Sequence, residues 1–251
     1  MASLGGMKTS PSLHYDGLLA PYYDLVYEWK NYKGEAGKLL WLIKNAKKTR
    51  GRELLDVACG TGGHLVYLKK HFQVSGVDAS QAMLKRARVK CPGARFTKGD
   101  MRSFNLGKQF DVLTCLFSSI AHLPTYRDLD RAIANFARHV KPDGLVIMEP
   151  FIDSNLYVPN VVHAPTVAQG KDVTLVRMSH SHRKGDHAMI DFQILLNTKK
   201  GITHFKDEVV LSLFEKTRVL KLMKKHGLKG WFIEEGLMPK RGLYIGVKET
   251  K

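Results

Sequence analysis

Apolar and polar positions follow two alternating rhythms through the first 150 residues. Short apolar runs of strand length occur at 54–57, 73–77, 95–98, 111–117 and 145–149. Between them, apolar residues recur at helical spacing, as with Leu39, Leu40 and Ile43 in the stretch 35–47. Further helices are predicted over 64–71, from the Ser80 N-cap to about Lys90, and over 125–140. Lys141-Pro142-Asp143-Gly144 reads as a turn before the fifth strand. After Pro150 the rhythm becomes two-fold. Ala188, Ile190, Phe192, Ile194 and Leu196 alternate with their neighbours, and 173–182 and 202–211 also read as extended. Lys184-Gly185-Asp186 and Lys199-Lys200-Gly201 supply hairpin turns. A helix over 216–226 and strands near 230–234 and 243–248 complete the chain. The predicted fold is α/β: a doubly wound, mainly parallel seven-stranded sheet with an antiparallel β insertion after strand five. Residues 13–150 and 206–251 form the main domain, and 151–205 the insertion. The insertion leaves from the carboxyl end of strand five. It is therefore expected either to wall a substrate pocket or to form a dimer interface, or both.

Ligands of such sheets lie at the carboxyl ends of the strands, and the chemistry-bearing residues fall there. Leu-Leu-Asp-Val-Ala-Cys-Gly-Thr-Gly-Gly, residues 54–63, runs a strand into a glycine turn in which Gly60 and Gly62 let backbone approach a ligand. The next strand ends at Asp78, positioned to accept both hydroxyls of a ribose. The third ends in Gly99-Asp100-Met101. These features together describe a nucleoside site. A nicotinamide site of the form G-x-G-x-x-G is excluded, because Leu65 occupies the position of the third glycine, and no P-loop is present.

Composition fits a globular enzyme. The chain has 251 residues, 44% of them hydrophobic, and no apolar run approaches the length of a membrane span. Residues 1–12 are small and polar, without a signal-peptide stretch, and are expected to be disordered. Cys59, Cys91 and Cys115 show no C-x-x-C spacing and read as reduced thiols of a cytoplasmic protein. The net charge of +17 raises the question of nucleic acid. The basic residues are spread along the chain, with runs at 44–52, 85–90 and 216–229, the last two on amphipathic helices. No basic tail or RNA-binding module accompanies them, so nucleic acid is not the expected partner. His180 and His182 share a strand face, but two histidines without a third ligand do not make a zinc site, and no metal is expected.

The glycine turn, the ribose acid and the third-strand Asp resemble the S-adenosylmethionine (SAM) site of class I methyltransferases, whose sheet is Rossmann-like. A narrower resemblance covers nearly the whole chain. Leu55–Gly62, Gly99-Asp100-Met101-Arg102, Phe117-Ser118-Ser119-Ile120, Phe136-Ala137-Arg138-His139, Val176-Arg177-Met178-Ser179-His180-Ser181 and Arg241-Gly242-Leu243-Tyr244-Ile245-Gly246-Val247 are similar to segments of the N,N-dimethyltransferases that act on nucleotide-linked amino sugars. The resemblance implies SAM as cofactor, with Ala58, Gly60 and Gly62 at the turn, Asp78 on the ribose, and Asp100 with Met101 at the adenine. Met83 packs on the adenine or in the core. Phe117 lines the methionine end. The aromatic stretch 13–34 has the makings of a lid, in which Tyr23 and Tyr27 either contact ligand or pack on each other.

Transfer from a sulfonium to a neutral amine needs alignment and a weak proton acceptor. His122, just beyond strand four, suits that role; the alternative is a helix-start histidine bonded to backbone. Arg177 and Arg241 are candidates for a substrate pyrophosphate, and Ser118 and Glu149 for the amine or a sugar hydroxyl. The expected activity is SAM-dependent N-methylation of a small molecule, foremost a nucleotide-linked amino sugar. Another small amine, a hydroxylated metabolite, RNA or protein are the alternative acceptors, and a SAM-binding protein without catalysis is the alternative class. A homodimer through the insertion is a further expectation.

Overall fold

The computed structural model describes Tyr15, Gly17 and residues 19–250; the expectation for 1–12 lies outside the described residues. A short helix α1 (Tyr23–Val26) and α2 (Tyr32–Ala46) precede the sheet. Then come β1 (Glu53–Val57), α3 (Leu65–Leu68), β2 (Gln73–Asp78), α4 (Gln81–Lys90), β3 (Arg95–Lys98), β4 (Phe110–Cys115), α5 (Tyr126–His139) and β5 (Val140–Met148). The insertion contributes β6 (Val161–Val162), β7 (Thr166–Gly170), β8 (Val173–Lys184), β9 (His187–Thr198) and β10 (Gly201–Ser212). The chain returns through α6 (Lys216–Lys225), β11 (Leu228–Ile233) and β12 (Leu243–Lys248).

The main sheet has the order β3-β2-β1-β4-β5-β12-β11. β1 to β5 pair in parallel, whereas β12 is antiparallel to β5 and to β11. β4 is buried along its whole length, as expected for a central strand covered by helices on both faces. One face packs Leu129, Ile133 and Phe136 of α5 and Val219 and Met223 of α6. The other packs Leu39 and Ile43 of α2 with Leu65, Leu68 and Leu84. Each such fully buried side chain contributes on the order of 1.5–3 kcal/mol.

Local departures from the sequence reading have local causes. α2 begins at Tyr32 because Asn31 caps it, its side chain accepting from the Gly34 N–H at 2.9 Å. The expected helix over 64–71 is a single α-turn flanked by turns. β4 ends at Cys115 rather than Phe117, since Phe117 and Ser118 take left-handed φ of 52° and 62°. The turn at 141–144 is present as a bulge inside β5. Val140 pairs with Phe110 and Leu145 with Val112, and Asp143 sits at φ 61°.

The insertion is a five-stranded antiparallel sheet, with β6 and β7 added to the three strands expected. The boundary expected at 205 falls inside β10, which continues to Ser212. Leu19 and Val26 pack on its inner face against Ala168, Leu175, Ile194 and Leu196. Ala20 and Tyr23 pack on Met83 of α4. The aromatic N-terminal segment thus lies between the two sheets. Among the described residues no helix is long and apolar enough to cross a membrane.

Candidate active site

β1 carries the chain into a turn where three residues are left-handed: Ala58 (φ 56°), Gly60 (φ 54°) and Gly62 (φ 78°). A Cβ built at Gly60 meets no atom of the described residues within 4 Å. A Cβ at Gly62 would lie in ordinary contact with that of Ala87 at 3.4 Å, so the left-handed φ rather than crowding favours glycine there. Left-handed φ in Ala58 is a strained choice of the kind found at functional turns. Asp78 closes the turn from β2. Its Oδ2 accepts from the Gly60 N–H and its Oδ1 from the Ser80 N–H, both at 2.8 Å. Behind the turn, burial raises the Asp56 carboxyl to about 7, although the Thr114 hydroxyl donates to it at 2.7 Å.

Ser80 caps α4 as expected, accepting from the Met83 N–H at 3.0 Å, and donates to the Tyr15 carbonyl at 2.7 Å. Met83 is buried against Tyr23 and the lid rings rather than in the sheet core. Tyr23 and Tyr27 stand 4.7 Å apart, and Tyr27 meets Phe117 edge-on at 5.2 Å. Asp100 is held by Arg102, whose Nε lies 2.9 and 3.0 Å from its two oxygens; Arg102 also donates to Asp128. Met101 is half-buried against the α5 face of the core.

Around the end of β4, the left-handed Phe117 and Ser118 turn the chain toward β5. The Phe117 N–H donates to Glu149 Oε2 at 2.6 Å. Ser118 Oγ donates to the Pro150 carbonyl at 3.0 Å and accepts from Arg241 Nη1 at 2.8 Å. Glu149 is fully buried, and its Oε1 has no hydrogen-bond partner among the described residues. Burial raises its pKa, against the pull of Lys30 and Arg241. Burial lowers that of Arg241, which Glu149 opposes. Exposed His122 closes a 3₁₀ turn (Ser119–His122), with Nε2 3.2 Å from the Tyr15 hydroxyl. Arg177 reaches in from β8, 3.3 Å from the Tyr27 hydroxyl and over the Phe192 ring at 4.9 Å. The structure therefore gathers Phe117, Ser118, Glu149 and Arg241 tightly. Arg177 joins them through Tyr27, and His122 is tied to the lid through Tyr15.

Several residues at this site carry no signal in the linear sequence. Lys30 is buried 4.2 Å over the Phe117 ring and donates to Glu35 at 2.5 Å, while His64 bonds the other oxygen of Glu35 at 2.6 Å. Burial works to raise Glu35, but the bonds from His64 and Lys30 outweigh it and keep its carboxylate ionised. Burial holds His64 neutral. Asp24 of α1 accepts from Thr61 of the glycine turn at 2.6 Å, and from Arg86 and Lys90 of α4. These contacts fasten the N-terminal segment to the glycine turn and to α4.

A methyltransferase-domain family model matches residues 54–144. A dTDP-3-amino-3,6-dideoxy-alpha-D-glucopyranose N,N-dimethyltransferase of Streptomyces fradiae is 39% identical over 245 residues, which are 96% of this chain and 95% of that protein. The chain belongs to the amino-sugar N,N-dimethyltransferases. Solved structures agree. DesVI of Streptomyces venezuelae superposes with a TM-score of 0.85 at 34% identity, over 91% of this chain and 98% of that one. SAM-bound CalS10, an amino pentose methyltransferase of Micromonospora echinaspora, gives 0.81 at 30% identity over 90% and 96%. This amino-sugar methyltransferase is thus a SAM-dependent enzyme with the class I fold. The residues present fit that cofactor: a Cβ at Gly60 would meet no atom of the described residues within 4 Å, and the Asp78 carboxylate lies beside it, accepting from the Gly60 N–H.

Proposed function

We propose that the protein methylates the amine of a nucleotide-linked amino sugar twice, to the dimethylamine. The observation that carries this reading is the extent of the likeness. It covers 96% of the chain and so includes the insertion, which faces the lid with Arg177 and Phe192, as well as the cofactor half. When bound, SAM supplies a methyl carbon already activated by its sulfonium.

Ala58, Gly60 and Gly62 take the cofactor along the turn, Asp78 takes the ribose, and Asp100 with Met101 flanks the adenine. Met83, Tyr23, Tyr27 and Phe117 enclose it and exclude water. Orientation in such a closed site is worth on the order of 7–11 kcal/mol. Lys30, held by Glu35 over Phe117, would supply a positive charge to the carboxylate of the bound cofactor. Arg241 and Arg177 present planar forks to a pyrophosphate. Glu149 offers its unpaired Oε1 to the amine, supported by Ser118, which holds Arg241. His122, oriented by the Tyr15 hydroxyl, accepts the proton that the amine sheds.

The test is turnover. Purified protein and SAM are incubated with dTDP-3-amino-3,6-dideoxyglucose, simple amines or bulk RNA, and S-adenosylhomocysteine release and product mass are read together. The expected result is a mono- and then dimethylated nucleotide sugar. Release only with free amines, or only with RNA and in a steeply salt-dependent way, would remove the sugar and leave the cofactor reading intact.

A further inference from the structure

In the sequence His180 and His182 have no third ligand beside them. The insertion sheet supplies one. Residues two apart on a strand face the same way, so His180 and His182 stand side by side on β8, their rings stacked with centroids 6.2 Å apart. Asp191 on β9 is the register partner of His180. His182 Nδ1 lies 3.4 Å from Asp191 Oδ2. One ligating atom from each of the three side chains falls within 4.8 Å of the others. Ligands at about 2.1 Å around a tetrahedral zinc ion are about 3.4 Å apart. One pair already has that spacing, and the others, within 4.8 Å, would close by rotation of the partly exposed side chains. In the next strand, Glu208 is the register partner of Asp191 and sits on the same face. Two neutral imidazoles and two carboxylates balance a divalent charge.

We propose that His180, His182 and Asp191 bind a zinc-class divalent transition metal, with water or Glu208 at the fourth position. Imidazole and carboxylate donors suit zinc, nickel and copper and disfavour magnesium and calcium, which prefer all-oxygen sites. The site is separate from the methyl-transfer centre. His180 and His182 lie on the opposite face of β8 from Arg177, and Asp191 on the opposite face of β9 from Phe192, by the alternation of the strands. A metal there clips β8 to β9 directly behind the Arg177–Phe192 pair.

The test uses the full chain without an affinity tag, stripped with chelator and titrated calorimetrically with zinc chloride and then nickel chloride. The expected result is saturable uptake of one ion per chain, a rise in melting temperature with metal, and no comparable response to magnesium. His180→Ala, His182→Ala and Asp191→Asn are each expected to weaken uptake by about tenfold or more, the scale on which even outer partners of a metal act. His204→Ala on the same sheet, whose Nε2 bonds Gln193, is expected to leave uptake unchanged. SAM binding by each variant reports that it is folded. Absence of saturable zinc uptake, uptake unchanged in the His180→Ala/His182→Ala protein, or affinity unchanged in Asp191→Asn would each overturn the assignment.

Discussion

Glu149→Gln separates the chemistry of the buried carboxylate from its cost to the fold. The change keeps side-chain shape, and the glutamine oxygen can still accept from the Phe117 N–H that Glu149 Oε2 accepts at 2.6 Å. What is lost is the charge and the acceptor at Oε1, the oxygen without a partner. A hydrogen bond from an amine to a charged acceptor is worth about 1.5–3 kcal/mol, which corresponds to a fall in kcat/KM of about 10- to 150-fold. Stability moves the other way. Burial raises the folded-state pKa of Glu149, so the wild-type protein loses stability as pH climbs from the ordinary glutamate value through the raised one. The glutamine variant has no such loss. Its advantage in urea unfolding is expected to grow over that window and then level off. Initial rates of S-adenosylhomocysteine release with dTDP-3-amino-3,6-dideoxyglucose measure the first effect, and urea midpoints at several pH values the second. A kcat/KM within twofold of wild type would refute the role of Oε1. A stability difference flat with pH would refute the raised pKa.

Asp56→Asn tests linkage behind the glycine turn. Burial raises Asp56 from 3.8 to about 7, so the wild type is expected to lose up to about 4 kcal/mol between those pH values, at about 1.4 kcal/mol per pH unit, and the variant to lose none of it in urea titrations. Gly60→Ala and Gly62→Ala both incur left-handed strain of about 1–2 kcal/mol. Only Gly62→Ala adds contact with Ala87, and only Gly60→Ala projects into ligand space. That contact is at ordinary van der Waals distance, so thermal melts are expected to drop by similar amounts in the two variants, and calorimetric SAM affinity to fall further for Gly60→Ala; a larger loss of affinity in Gly62→Ala would contradict the geometry. Asp24→Asn removes the charge that holds Thr61, Arg86 and Lys90. Hydrogen exchange over 19–30 is expected to quicken, and SAM affinity to fall by about tenfold for a loss near 1.4 kcal/mol; unchanged exchange would show that the lid is fastened elsewhere.

What was legible in the sequence is what a local pattern encodes. The glycine turn, Asp78 at its strand end and the Ser80 cap each depend on residues a few positions apart, and all three stand where the pattern put them. Arg241 and Ser118 were picked out by resemblance, and the 2.8 Å bond between them spans 123 positions that no periodicity describes. Lys30, Glu35 and His64 were missed for the same reason. Lys30 and Glu35 sit in a lid segment and an amphipathic helix, where charges ordinarily read as solvated, and only tertiary packing makes them a buried chain. Phe117 reads as the end of an apolar strand, with Ser118 just beyond it, because side-chain pattern carries little information about the sign of φ outside glycine. β6 and β7 are too short or too mixed in polarity to stand out before β8 is present to pair with them.

The polar cluster at the strand ends bears on function because it is a poor way to stabilise a fold. Lys30, Glu35, His64 and Glu149 are all buried, with Arg241 half-buried beside them. Taking ionisable groups from water costs several kcal/mol each, and apolar replacements of similar volume are often neutral or stabilising. Glu35 recovers part of that cost through two charge-assisted bonds, and Arg241 through Ser118. Glu149 recovers it at one oxygen only. The deficit sits where β4 and β5 end, which is where ligands of this fold bind. On the proposed roles, a ligand that brought an amine to Oε1 and an anionic group to Arg241 would remove the deficit at the moment it binds. On the same roles, the imbalance that weakens the unliganded protein would favour the complex, and would select a ligand that carries both an amine and negative charge over a simple amine that carries only the first.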